Sequence, residues 1–151
     1  MTLRKNQEGF TIIELLIVII IIIILAGLVL VTLSGAQEKA RNAERTTDIQ
    51  AVDTHLEAYF SENQKYPLIA DLNSDTFRAA NLRGLDKEAL RDPKNSSYTV
   101  VGSPVANSYS YETFAEDGTS PCDNATTDCT KFTLTAKLEG GKPDVVKKQL
   151  Q

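Results

Sequence analysis

A single carboxylate, Glu14, stands one residue ahead of an apolar run that extends from Leu15 to about Leu33. An ionised group at the edge of hydrocarbon is costly unless it pairs, so such a residue is a functional candidate. Its chemistry would be that of an ion pair, because a lone carboxylate in apolar surroundings takes up a proton or finds a cation. Glu14 also falls in the first turn of its helix, where the helix dipole favours negative charge, and a merely structural role is the alternative. Ahead of it lie the Gly9-Phe10 junction and a polar leader, residues 1–9, with Arg4 and Lys5. A secretory signal peptide is cut after its apolar region, at small residues. Here Ser34-Gly35-Ala36 is the nearest such site and a poor one. Cleavage between Gly9 and Phe10 would instead keep the apolar helix, whose length suits a membrane span. The plain alternative is an uncleaved signal anchor.

Few other residues offer chemistry. Cys122 and Cys129 are the only cysteines, and both follow the apolar run. An even number in an exported domain suggests a disulfide; two free thiols or half of a metal site are the alternatives. The single histidine, His55, is far away in sequence and leaves a zinc site short of ligands. Asp117, Asp123 and Asp128 could form an oxygen-rich calcium site, but their spacing matches no EF-hand loop. No phosphate-binding glycine loop and no Ser-His-Asp arrangement can be built. The expectation is therefore a protein that is not an enzyme, with no cofactor, no metal and no small-molecule substrate.

Gly9-Phe10-Thr11-Ile12-Ile13-Glu14-Leu15, after a leader with Arg4 and Lys5, resembles the prepilin signature of type IV pilins and secretion pseudopilins. The resemblance continues through Glu38–Arg45 and Asp48-Ile49-Gln50 to Tyr66-Pro67, where it is to small pilins and major pseudopilins. It implies that a prepilin peptidase cuts after Gly9 and that the new amine of Phe10 is N-methylated. It also implies that Glu14 meets the Phe10 amine of a neighbouring subunit and so sets filament register. One departure stands out: many pilins carry a helix-bending Pro near the position of Val31, and this chain has only Gly27 and Gly35 as weak points.

These residues require a long helix to position them. After the leader (1–9), residues 10–35 are expected to form the transmembrane and filament-core half of a stem helix, and 36–63 its amphipathic half. Ile49, Val52, Leu56, Tyr59 and Phe60 share one helical face, and Tyr66-Pro67 follows the helix end. A loop with short helices (64–97), including a capped one from Ser74 to Leu82, should precede an antiparallel sheet with a disulfide loop (98–139). Strands are expected at Tyr98–Val101, Ser108–Phe114 and Lys131–Leu138. In the last of these Phe132, Leu134, Ala136 and Leu138 alternate with polar residues. Gly140-Gly141 should open a loose tail (140–151). The fold class is α+β: a long N-terminal stem packed on a small sheet of three or four strands.

Charge along the outer stem is segregated. Lys39, Arg41 and Arg45, mixed with Glu38 and Glu44, precede Asp48, Asp53, Glu57 and Glu62. Arg45 and Asp48 have the spacing of a helical pair, whereas Asp53 and Glu57 repel. Either the face is solvated, or basic and acidic zones of staggered stems meet between subunits. With 16 basic and 20 acidic residues the net charge is −4, which does not favour nucleic-acid binding. The leader's basic residues favour a cytoplasmic N-terminus, with the domain after the span outside. The expected product is a structural subunit of a type IV pilus, with a pseudopilin of a secretion or competence apparatus as the alternative. A monomeric membrane-anchored binding protein is the reading from another class. Its partners would be further copies of itself, the peptidase and methylase, the assembly machinery and the membrane. It would sit first in the inner membrane and then in an envelope or extracellular filament.

Overall fold

The computed structural model describes residues 9–149, so the leader charges Arg4 and Lys5 lie outside the described residues. The elements are α1 (Ile12–Asn63), α2 (Ile69–Leu72), α3 (Asp75–Asn81), a 3-10 turn (Lys87–Leu90), β1 (Tyr109–Phe114), β2 (Lys131–Ala136) and β3 (Val145–Lys148). The chain divides into two units, with the boundary after Gln37.

The first unit holds the apolar half of α1. Ile12 through Leu25 is apolar all round except Glu14, and its large side chains are exposed. Among the described residues α1 is the one helix long and apolar enough to cross a membrane. Helix continues across position 31, where no proline interrupts it.

The second unit begins with the other half of α1, which buries one stripe only. Ile49, Val52 and Leu56 are completely covered and join Leu72, Leu90, Tyr109, Phe132 and Leu134 in the core. Tyr59 and Phe60 pack at its edge. The helix ends where Gln64 adopts a positive φ of 57° and its N–H bonds the Phe60 carbonyl at 2.7 Å. Pro67 then holds Tyr66 out of helical geometry, and the Tyr66 ring stacks on Phe60 with centroids 4.6 Å apart.

β1, β2 and β3 form an antiparallel meander in that order. β2 alternates as expected: Phe132, Leu134 and Ala136 face the core. Two expectations fail. Tyr98–Val101 is no strand; Val101 makes a single parallel bridge to Ser110. The reason lies in Asn73, whose side chain accepts from Val100 N–H at 2.8 Å and donates to the Val100 carbonyl at 3.0 Å. A side-chain amide thus takes the place of a partner strand, and Pro104 soon removes a further donor. Nor is the C-terminal segment loose: Val145–Lys148 pairs with β2 over Thr133–Ala136. Gly140 and Gly141, with φ of 72° and 67°, turn the chain back. The β-branched Val145 then packs on the core.

Candidate functional site: the stem N-terminus and the charges of the outer stem

Thr11 and Glu14 hold each other at the start of α1. Glu14 Oε2 accepts from Thr11 N–H at 2.8 Å and from Thr11 Oγ1 at 2.7 Å, while Glu14 N–H donates to Thr11 Oγ1 at 3.2 Å. The Thr11 carbonyl accepts the first helical bond, from Leu15 N–H. This is a reciprocal capping box, in which an N-cap hydroxyl and an acid three residues on satisfy each other's orphan amides. The carboxylate therefore points back toward the chain's N-terminal side. Gly9 and Phe10 precede the helix in non-helical backbone, and the Phe10 ring is almost wholly exposed. A Cβ at Gly9 would meet nothing within 4 Å. This fold itself makes no demand for glycine there.

In the second unit the charged face of the outer stem is largely spent within the chain. Arg45 does not pair with Asp48. Its guanidinium is buried and bonds Asp92 through Nε at 2.7 Å and Nη2 at 3.0 Å, and Glu139 through Nη1 at 2.8 Å. Arg41 grips the same Glu139 at 2.8 and 2.7 Å, and Lys94 reaches it at 2.6 Å. Arg41, then Lys94 and Arg45, hold the Glu139 carboxyl well below the usual carboxylate range against the opposing effect of burial. Asp48 instead accepts from the Tyr109 hydroxyl at 2.7 Å. Burial raises both groups. Asp53 pairs with Lys147 at 3.5 Å, and Glu57 accepts from the Tyr66 hydroxyl at 2.9 Å. One sequence signal could have found Arg45: it lies four residues before Ile49, on the stripe continued by Val52 and Leu56.

Cys122 and Cys129 are joined in a disulfide. The loop they close is tied to the stem's exit: Tyr66 N–H bonds the Cys129 carbonyl at 2.7 Å, and Asn124 Nδ2 donates to the Tyr66 carbonyl at 2.7 Å. The three aspartates of this region stand apart in role. Asp117 accepts from Ser120 and Thr119, which lower it to about 2. Asp123 caps the turn Ala125–Thr127, and Asp128 pairs with Lys65. Among the described residues no three metal-ligating side chains cluster. Asn95-Ser96-Ser97 and Asn124-Ala125-Thr126 have the form of glycosylation sequons, and both asparagine amides are engaged, Asn95 with Asn107 and Ser108 and Asn124 with Tyr66. His55 lines a polar cleft with Tyr59, Glu62 and Arg83, and among the described residues no Ser, Thr or Cys lines it.

Against known proteins, residues 4–30 match the prokaryotic N-terminal methylation motif. The chain is 38% identical over 65 residues to the type II secretion system core protein G of Dickeya chrysanthemi, 43% of this chain but only 42% of that protein. It is 32% identical over 122 residues to the core protein G of Vibrio cholerae serotype O1, covering 76% of this chain and 84% of that protein. The type IV wide pilus major component PilA4 of Thermus thermophilus is 30% identical over 105 residues, 70% of this chain and 71% of that protein. No solved structure matches the chain significantly. An N-terminal motif alone could be borrowed by an unrelated anchor, but similarity that runs through stem, loop and sheet cannot. The chain belongs to the type IV pilin and pseudopilin family.

Proposed function

We propose that this chain is a pseudopilin, the structural subunit of a short envelope filament that serves protein secretion. The observation that carries this is the similarity to core protein G over most of both chains. It favours the secretion alternative over the type IV pilus expected from the sequence. Likeness to a pilus major component keeps an extracellular type IV pilus as the second reading. In either case the chain is a structural subunit and not an enzyme.

The subunit is made as a membrane-anchored precursor, with α1 as the anchor and the second unit outside the inner membrane. Prepilin peptidase cuts between Gly9 and Phe10 and the new Phe10 amine is methylated. What supports this is the placement of both residues in exposed, non-helical backbone, since a protease needs an extended substrate. Glu14 then pairs with the Phe10 amine of a neighbour as stems pack side by side. The pairing is directional: a slipped neighbour leaves an ammonium and a carboxylate unpaired in apolar surroundings. In the free precursor Thr11 satisfies the same carboxylate.

The test is complementation. The full chain is expressed with a type II secretion machine that lacks its own core protein G. Secretion and sheared filaments are scored beside mass spectrometry of the subunit. A chain that begins at methylated Phe10 and restores secretion supports the proposal. Pili on the surface without restored secretion would favour the second reading, and function as a detergent-soluble monomer after Glu14→Val would refute both.

A further inference from the structure

Arg45 occupies a place where the stem's pattern calls for an apolar residue. Ile49, Val52 and Leu56 continue the stripe on which it lies, and all four side chains are buried. A guanidinium there brings a desolvation cost that an apolar side chain would avoid, so its presence calls for a role other than stability. Its three nitrogens reach two carboxylates that are remote in sequence, Asp92 beyond the 3-10 turn and Glu139 just past β2. Asn42, one helical turn earlier, closes the arrangement. Its Oδ1 accepts from both Arg45 Nη1 and Glu139 N–H at 3.0 Å, and its Nδ2 donates to the Glu139 carbonyl at 3.3 Å.

We propose that Arg45 is a register-setting residue, which fixes the axial and rotational setting of the loop and sheet on the outer half of α1. It thereby fixes the surface that a neighbouring subunit meets. This rests on the filament reading above. Apolar side chains tolerate sliding and rotation, whereas a planar guanidinium fork donates to two carboxylates in one geometry. A stem displaced by one residue would leave Arg45 buried without partners and would take its guanidinium away from Asp92 and Glu139. The clasp acts chiefly by excluding wrong settings. The other charged groups around it work in the same sense: Arg41 and Lys94 converge on Glu139, and Lys94 N–H holds Asp92 Oδ1 at 2.8 Å. On the neighbouring side Asp48 is turned away to the Tyr109 hydroxyl. Gly140 lies so near the Glu38 carboxylate that a Cβ would collide with it.

The experiment uses the full-length chain in two forms of clasp variant. Arg45→Lys keeps the charge but offers one point donor in place of a fork. Arg45→Met with Asp92→Asn and Glu139→Gln removes all three charges together. Each is measured for thermal midpoint, for amide exchange of β3 and of Val101 and Tyr111, and for sheared filaments in the secretion host. The expected result is a midpoint near wild type in the triple variant, faster exchange of those amides in both, and loss of filaments in both. Loss of assembly without loss of stability is what a merely structural contact would not produce. Wild-type exchange in a folded variant overturns the clasp, and faster exchange with wild-type filaments overturns its role in assembly. Should the triple variant fail to fold, Arg45→Lys decides alone. The filament reading fails separately, if the wild-type chain yields no filaments or Glu14→Val yields as many. The exchange measurement on Arg45→Lys still decides for or against the clasp in that event.

Discussion

Arg45 and Asp92 meet through two parallel hydrogen bonds, at 2.7 and 3.0 Å, with both side chains essentially closed to solvent. Such a pair is weak evidence of stability while whole, but removing one partner strands the other charge in a dry site. Asp92→Ala leaves Arg45 with Glu139 as its one carboxylate, so the fold is expected to lose about 3 kcal/mol, the low end of the cost of a stranded buried charge. The loss would also free the Lys94 amide that the same carboxylate caps. Urea denaturation of the full chain in detergent measures it. A change no larger than that of an exposed surface pair would mean that the pair is not buried in solution.

Glu139 makes the fold sensitive to acid. Hydrogen bonds from Arg41 first, then from Lys94 and Arg45, depress its carboxyl in the folded state. Its stabilisation is complete above the ordinary carboxylate value of about 4.3 and is lost progressively as the pH falls below that toward the depressed folded value. Asp48 has the opposite sign, because burial raises it and protonation relieves the folded state. At the alkaline end, burial raises Tyr109 and Tyr66. Their contribution is present below the free tyrosine value of about 10 and is lost as the pH rises past it. Thermal midpoints should fall at both edges. Glu139→Gln should lower the neutral midpoint and flatten the acid limb, and an unchanged acid limb would refute the assignment.

How far the sequence reaches can be seen by comparing Ile49 with Arg45. Ile49, Val52 and Leu56 declare themselves by spacing, because apolar burial is non-directional and leaves a periodic trace. Arg45 carries the same spacing but, as an ionised side chain, reads as part of the charged face. Its partners lie 47 and 94 residues on, and no local pattern announces a contact over that span. The N-terminal motif is legible since its residues lie in one short contiguous stretch, where Thr11 and Glu14 also bond each other. Nothing in the sequence marks Asn73 as a stand-in for a strand, so Tyr98–Val101 reads as one. β3 leaves no sequence trace for a related reason: a four-residue strand after Gly140-Gly141 is too short for period-two alternation to rise above noise, and its pairing with β2 is a tertiary fact.

The Cys122–Cys129 disulfide closes a short loop whose Asn124 and Cys129 hold Tyr66 at the stem's exit. In the chain-entropy account a loop of this length contributes about 2–3 kcal/mol. Reduction, or Cys122→Ser with Cys129→Ser, should lower stability by that order. It should also loosen Lys65 and Tyr66 before the rest of the second unit. Amide exchange with and without reductant reads both effects. Equal protection of Tyr66 in the two states would show that the hydrogen bonds hold the loop without the covalent link.

Thr11 and Glu14 allow the cap and the assembly role to be separated. Both residues serve the capping box, and loss of an N-cap side chain costs about 1 kcal/mol of helix stability. If capping were the whole purpose, Glu14→Gln would be the milder change, since an amide oxygen still accepts from Thr11 N–H, whereas Thr11→Val would fray the first turn of α1. If Glu14 also meets a neighbour's Phe10 amine, Thr11→Val removes only the local partner and keeps the charge. Glu14→Gln removes the charge that the amine needs. The expected outcome is therefore unequal. Thr11→Val should retain a substantial share of sheared filaments, and Glu14→Gln should abolish them, with both precursors processed at Gly9-Phe10. Processing is checked by mass spectrometry so that a failure to cleave is not mistaken for a failure to assemble. A filament yield from processed Glu14→Gln equal to or above that of Thr11→Val would reduce Glu14 to a helix cap.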